Sequence, residues 1–134
     1  MADARPSHVT IPIWIVGYAA FLAIIPILAT SMAIGAPDQM FGTMAADVAA
    51  AAPVMGLYLS RNAGLLVLAG LALWRRTPTL LSALFAVRLV VDLLDLAVTV
   101  ALGFTGQPAA VLVASWVLCF TLPQLLALRA LRSP

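Results

Sequence analysis

The sequence predicts an all-α fold, an integral membrane antiparallel four-helix bundle with both termini cytoplasmic. Three observations predict it. Of 134 residues, 64% are hydrophobic and only 9% are charged, whereas about a quarter of a soluble domain is charged. Four apolar runs, 9–34, 53–74, 80–102 and 109–128, each come near the about 20 residues that a helix needs to cross the hydrocarbon. Every Arg outside these runs falls on one side once the runs are threaded through a bilayer.

The first run follows Arg5 and holds Pro12 and Pro26, the latter a predicted kink where neighbours must satisfy a freed carbonyl. Arg5, an apolar core and the small residues of Ala33 to Ala36 imitate a signal peptide, but the run is longer than a typical signal core. A retained helix is the expectation; cleavage would leave three spans and an external N-terminus. Thr30 and Ser31 are expected to bond back to carbonyls one turn earlier. Gly35-Ala36-Pro37-Asp38 ends the run. The stretch 38–52 then predicts a short external helix, with Asp38 as N-cap and Met40, Phe41, Met44 and Val48 on one face. It reads as an interfacial connector, with a lid over a cavity as the alternative.

The second run ends at Arg75-Arg76-Thr77-Pro78, and the third at Gly103-Phe104-Thr105-Gly106-Gln107-Pro108. In the fourth, Pro123 and Gln124 predict a kink with a satisfied amide. Trp14, Trp74 and Tyr18 read as interface anchors or core packing, and Gly56, Gly64 and Gly70 as sites of close helix packing. No internal repeat or linker divides the chain, so a single domain over 1–134 is expected.

Short cytoplasmic loops collect positive charge. Arg5, the Arg75-Arg76 connection, and Arg129 with Arg132 lie on one side, whereas the other two connections hold only Asp38 and Asp47. This turns both termini to the cytoplasm and the first and third loops outward. The net charge of +2 invites a nucleic-acid reading, but the positive residues are scattered along membrane flanks and none is Lys, so no nucleic-acid partner is expected. With one His, His8, before the first span and one Cys, Cys119, inside the fourth, a bis-His haem, a His-based zinc site and a disulfide framework have no ligands within one chain. No metal and no required cofactor is expected.

Four charged side chains inside the runs carry the functional signal: Arg61, Arg88, Asp92 and Asp95. Each costs roughly 3 kcal/mol at membrane depth unless it finds a partner or water. Arg88, Asp92 and Asp95 stand at spacings of four and seven, within about 60° of one another on a helix of about 3.6 residues per turn. Counted at about 1.5 Å per residue from the outer ends, Arg61 lies ~12 Å deep in the second run, and Asp95 and Asp92 ~10 and ~15 Å deep in the third. Arg61 is therefore expected to meet one carboxylate and Arg88 the other from within its own helix, summing to zero charge. Tyr58 is expected to share the face of Arg61, and Asn62 lies beside it in sequence. Two readings of the cluster stand side by side. In one, the ions pair fully and lock helices two and three together. In the other, a desolvated carboxylate beside Arg is an acid, a base or an anchor for a lipophilic molecule entering from the bilayer.

A compact four-span chain with Arg61-Asn62 in its second helix and an Arg88-x-x-x-Asp92-x-x-Asp95 stripe in its third resembles the DoxX-like superfamily of small bacterial membrane proteins. Named members are associated with membrane oxidoreductase complexes, some quinone-linked, so the resemblance implies an accessory or quinone-facing role. It carries over Arg61, Arg88, Asp92 and Asp95 as polar-core positions. Small multidrug transporters share the size and span number, but their membrane-embedded Glu in helix one is absent, as is every Glu.

The leading expectation is a membrane protein that binds a quinone-like or isoprenoid-like molecule through Arg61, Arg88, Asn62 and Tyr58, with Asp92 or Asp95 handling a proton. Against it stand a non-catalytic subunit docked on a larger membrane complex, and a small proton-coupled transporter that needs a homo-oligomer to enclose its path.

Overall fold

A computed structural model describes residues 10–36, 48–102 and 108–132. All secondary structure among them is helical, in four helices: α1 (Ile13–Gly35), α2 (Val48–Arg75), α3 (Pro78–Leu102) and α4 (Ala109–Arg132). The α1 helix, the Pro53–Arg75 part of α2, and α4 are long and apolar enough to cross a membrane. The α3 helix has the length, 25 residues, but Arg88, Asp92 and Asp95 occupy its middle. Of the external helix expected over 38–52, residues 38–47 lie outside the described residues, and 48–52 form the start of α2. His8, Arg5 and most of the third loop also lie outside them.

The helix ends follow from local chemistry. Pro12 stands at the cap of α1, and Ile15 N–H bonds its carbonyl at 3.0 Å, so the helix starts at Ile13 rather than at the expected Val9. Between α2 and α3 only Arg76 and Thr77 intervene. Arg76 turns the chain with φ 47°, the left-handed position usually given to glycine after a helix, while its N–H still bonds the Ala72 carbonyl at 2.9 Å. Thr77 caps α3 by accepting the Leu80 N–H at 3.3 Å, and Pro78 at the first helical position lacks only an N–H that would have had no partner there.

Each helix buries one stripe. On α1 it is Ile15, Ala19, Leu22, Pro26 and Ala33; on α2 Asn62, Leu65, Ala69 and Ala72; on α3 Leu81, Leu84, Phe85, Arg88, Asp92 and Leu96; on α4 Gln124 and Ala127. Steps of three and four are those of one helix face. The alanines let the backbones approach closely, the packing used where lipid removes the hydrophobic drive between helices. Outward, large apolar side chains such as Ile13, Leu57, Val67 and Leu94 stand more than half exposed, a surface for acyl chains rather than water.

The stripes change character along their length. One end of the molecule, where α2 meets α3 and α4 finishes, holds the continuous apolar core of Ile15, Ala19, Leu22, Ala69, Ala72, Leu81, Leu84, Phe85 and Ala127. Further along the same stripes the buried positions turn polar: Asn62 on α2, Arg88 and Asp92 on α3, Gln124 on α4. A polar layer thus rests on an apolar plug.

Candidate functional site

The two predicted ion pairs are present, and they differ in kind. On α3, Arg88 Nη2 lies 3.0 Å from Asp92 Oδ1 across one helical turn, with side chains 8% and 0% exposed. Arg61 Nη1 of α2 pairs with Asp95 Oδ1 of α3, with side chains 33% and 32% exposed. The spacing of four on one helix fixes the first pair. The second follows from the two-residue connection, which sets α2 beside α3 with these residues at matching depth. The stripe on α3 is therefore split: Arg88 and Asp92 face the bundle interior, whereas Asp95, on the edge of the stripe, reaches toward α2 and stays partly open. The expected pairing holds for both, but only the first pair is enclosed.

The other expected ligands lie where helical geometry sends them. Tyr58, one turn before Arg61, carries its ring under the guanidinium, 4.8 Å from centroid to Cζ. Asn62, one residue on and about 100° round the helix, faces α1 instead; it is 2% exposed and donates to Thr30 Oγ1 at 3.3 Å. It thus ties α1 to α2 and stands apart from Arg61. Thr30, expected to bond its own backbone, accepts that bond, while Ser31 does bond back, to the Ile27 carbonyl at 2.9 Å.

Gln124 is the residue that sequence reasoning undervalued. It is fully buried, and its Nε2 donates to Asp92 Oδ2 at 2.6 Å, so Asp92 is held from α3 and α4 together. Facing a carboxylate fixes which way the amide points, since a carboxylate only accepts, and Gln124 Oε1 is left without a protein donor. Depth counting hid this contact: a straight rod puts Gln124 about 22 Å below Ala109, against ~15 Å for Asp92 below Leu102. The usable sign was Pro123 beside it.

Pro123 has no N–H, so the Cys119 carbonyl loses the donor that an unbroken α-helix would supply. The α4 helix answers with a π-turn over Val117–Thr121, closed by the Leu122 N–H to Val117 carbonyl bond five residues back. Tyr18 of α1 supplies what is missing, its hydroxyl donating to the carbonyls of Cys119 at 3.1 Å and Phe120 at 3.2 Å. The same ring stacks on Phe85 of α3 at 6.0 Å, and its hydroxyl lies within the electrostatic reach of Gln124, Asp92 and Arg88. Tyr18 is thus core packing, as one of its two expected roles had it, and in addition ties α1 to α4 through its hydroxyl. Tyr18→Phe leaves the Cys119 carbonyl without that donor on a lipid-facing helix and should cost about 1–3 kcal/mol in unfolding from mild detergent. Adding Pro123→Ala, which restores an N–H donor, should recover much of that loss.

Among the described residues no group of three or more His, Cys, Asp or Glu converges as a metal ligand set. What meets in the polar layer is two ion pairs that sum to zero charge. Arg61 Nε, Arg88 Nε, Trp116 Nε1, Thr121 Oγ1 and Gln124 Oε1 are buried without a hydrogen-bond partner, while Asp92 Oδ1 has its ion pair with Arg88. Such atoms are rare in folded proteins, where more than about 90% of buried polar groups are satisfied. A site of this kind can hold polar oxygens in an apolar medium and can move a proton at a carboxylate.

No protein-family model, curated protein sequence or solved structure matches the chain.

Proposed function

We propose that this chain is an antiparallel four-helix protein of a bacterial-type inner membrane, both termini cytoplasmic, whose polar layer binds the head of a quinone-like or isoprenoid-like molecule. The observation that carries the reading is the unequal exposure of the two ion pairs. The enclosed Arg88–Asp92 pair lies within α3 and is tied to a second helix through the Gln124 amide of α4, whereas Arg61–Asp95 joins α2 to α3 and is left open. A pair left one-third open at the flank of the bundle offers a cation and a carboxylate to any molecule diffusing at that depth. Arg61 and Arg88 orient an oxygen of the bound head, Tyr58 borders it, and Asp95, the accessible acid, exchanges the proton, with Asp92 held as its partner by Arg88 and Gln124. The DoxX-like resemblance of Arg61, Arg88, Asp92 and Asp95 points the same way.

The competing reading makes the chain a non-catalytic subunit of a membrane oxidoreductase complex, and the buried Gln124–Asp92 bond between α4 and α3 favours a lock for that half of the cluster. Proton-coupled transport is the least supported, because among the described residues the apolar plug closes one end of a single chain. A second copy would have to supply the path.

The test is Asp95→Asn. The substitution leaves Arg61 uncompensated at membrane depth, at a cost of roughly 3 kcal/mol, so retention is compared once helical circular dichroism shows both proteins folded. The variant should lose about tenfold in the lipophile that co-purifies, measured by mass spectrometry of extracted lipid. Equal retention in both proteins, or a stoichiometric protein partner in place of any lipophile, decides for the subunit reading.

A further inference from the structure

Four arginines, Arg75, Arg76, Arg129 and Arg132, stand exposed at the end of the molecule where α2 meets α3 and α4 finishes. The apolar core gathers them: Leu73 and Leu80 on either side of the turn, and Leu128 and Leu131 beside the two arginines of α4, pack against the same cluster. The carboxylates of the described residues, Asp92 and Asp95, are both engaged in the polar layer. Among the described residues this end is therefore strongly positive. Trp14 near the start of α1 and Trp74 near the end of α2, 47% and 77% exposed, suit the level where indoles settle between acyl chains and headgroups. Arg75 and Arg76 follow Trp74 directly, which sets them at the depth of lipid phosphates.

Charge at such an end has two ordinary uses, and neither accounts for Arg76. Cations answer the carbonyl ends of helices, a role open to Arg75, Arg129 and Arg132 in the last turns of α2 and α4. Loop charge also orients a chain in its membrane, but no particular backbone conformation is needed for that. Arg76 instead occupies the left-handed position past the end of α2, φ 47°, where glycine is at ease and a side chain is strained. Strain of this kind, held where an easier residue would serve the fold, points to a use for the side chain. Its Nε donates to the Leu73 carbonyl at 3.4 Å, which anchors the root of the guanidinium and spares both Nη groups for another acceptor. Beside it, the Arg75 guanidinium lies 5.4 Å from the Trp74 ring.

Two adjacent planar forks select an oxyanion, and phosphate above all, since each can take two oxygens at once. The surface beneath them selects its source. Val67, Leu71 and Trp74 follow at steps of four and three on one outward face of α2, all well exposed, so the anion comes with acyl chains attached.

We propose that the α2–α3 turn, with Arg76 at its centre and Arg75 beside it, clamps the phosphate of an anionic phospholipid whose acyl chains lie along Val67, Leu71 and Trp74. This site is at the opposite end of the buried stripes from the polar layer and goes beyond the lipophile reading, on which it does not depend.

The full chain in a neutral maltoside detergent is titrated with dioleoyl phosphatidylglycerol, and bound lipid is counted by native mass spectrometry. Dioleoyl phosphatidylcholine tests the need for charge, and excess inorganic phosphate tests the need for the acyl chains. Saturable retention of phosphatidylglycerol, well above that of phosphatidylcholine and not displaced by inorganic phosphate, is expected. Arg76→Gly removes the fork and the strain together. Retention should fall about fivefold, the worth of one cation at a lipid surface. The thermal midpoint in lipid-free detergent, followed by helical circular dichroism, should rise, because glycine takes the left-handed turn freely. Arg76→Lys, which keeps the charge and loses the planar fork, should also weaken retention. Equal retention of the two lipids, displacement by inorganic phosphate, wild-type retention in Arg76→Lys, or a midpoint that falls in Arg76→Gly each overturns the proposal: respectively for nonspecific lipid, for a free anion, for charge alone and for a structural arginine.

Discussion

Arg88→Met is expected to destabilise the protein by about 3–5 kcal/mol in unfolding from mild detergent, the largest effect of any single substitution considered. Among the described residues the guanidinium is the cation paired with Asp92 Oδ1, and Asp92 is completely enclosed. Removing it leaves a fully enclosed carboxylate held by the Gln124 amide, and an uncompensated buried charge costs far more than the intact pair contributes. The double variant Arg88→Met/Asp92→Leu should therefore be more stable than Arg88→Met by several kcal/mol, because the desolvation cost of both ions vanishes together. Its residual deficit belongs to Gln124, whose amide loses an acceptor. A double variant as unstable as the single one would show that shape, not charge, governs the site.

Phe85→Ala should follow at about 2–3 kcal/mol. For a soluble core, Phe→Ala costs about 3–5 kcal/mol, made of lost transfer from water plus the cavity left behind. In a bilayer the transfer share shrinks, since unpacked helices face acyl chains rather than water, and the cavity share remains. Phe85 is fully buried at the centre of the apolar plug and stacks on Tyr18, so its loss also frees the ring that spans α1 and α4. The variant should show greater hydrogen exchange along the π-turn as well as a lower unfolding midpoint.

Much of this arrangement could be read from the residues, and the boundary of what could be read is physical. The four helices follow from runs of apolar residues, whose length is set by hydrocarbon thickness. The two ion pairs follow from a spacing of four on one helix and from equal depth across a short connection. Both rules are local, or nearly so. The role of Gln124 is not local: α4 reaches Asp92 from a part of the sequence 32 residues away, at a depth that straight-rod counting misjudges. The face of Asn62 depended on which neighbour α2 turned toward it. Tyr18 was hidden for a different reason, because its partners are backbone carbonyls freed by a proline on another helix, and side-chain identity alone gives no hint of such a bond.

The two-residue link between α2 and α3 bears on how the chain reaches its membrane. Taken alone, α3 carries three ionised groups, and a translocon scale charges about 2.5–3.5 kcal/mol for each near the centre of a segment. Arg88 and Asp92 cancel within α3 itself, but Asp95 finds its counter-ion only on α2. With so little chain between them, the two segments are built to partition as one helical hairpin, each masking the other's charge at the lateral gate. Losing either ion would leave the other to enter the bilayer uncompensated.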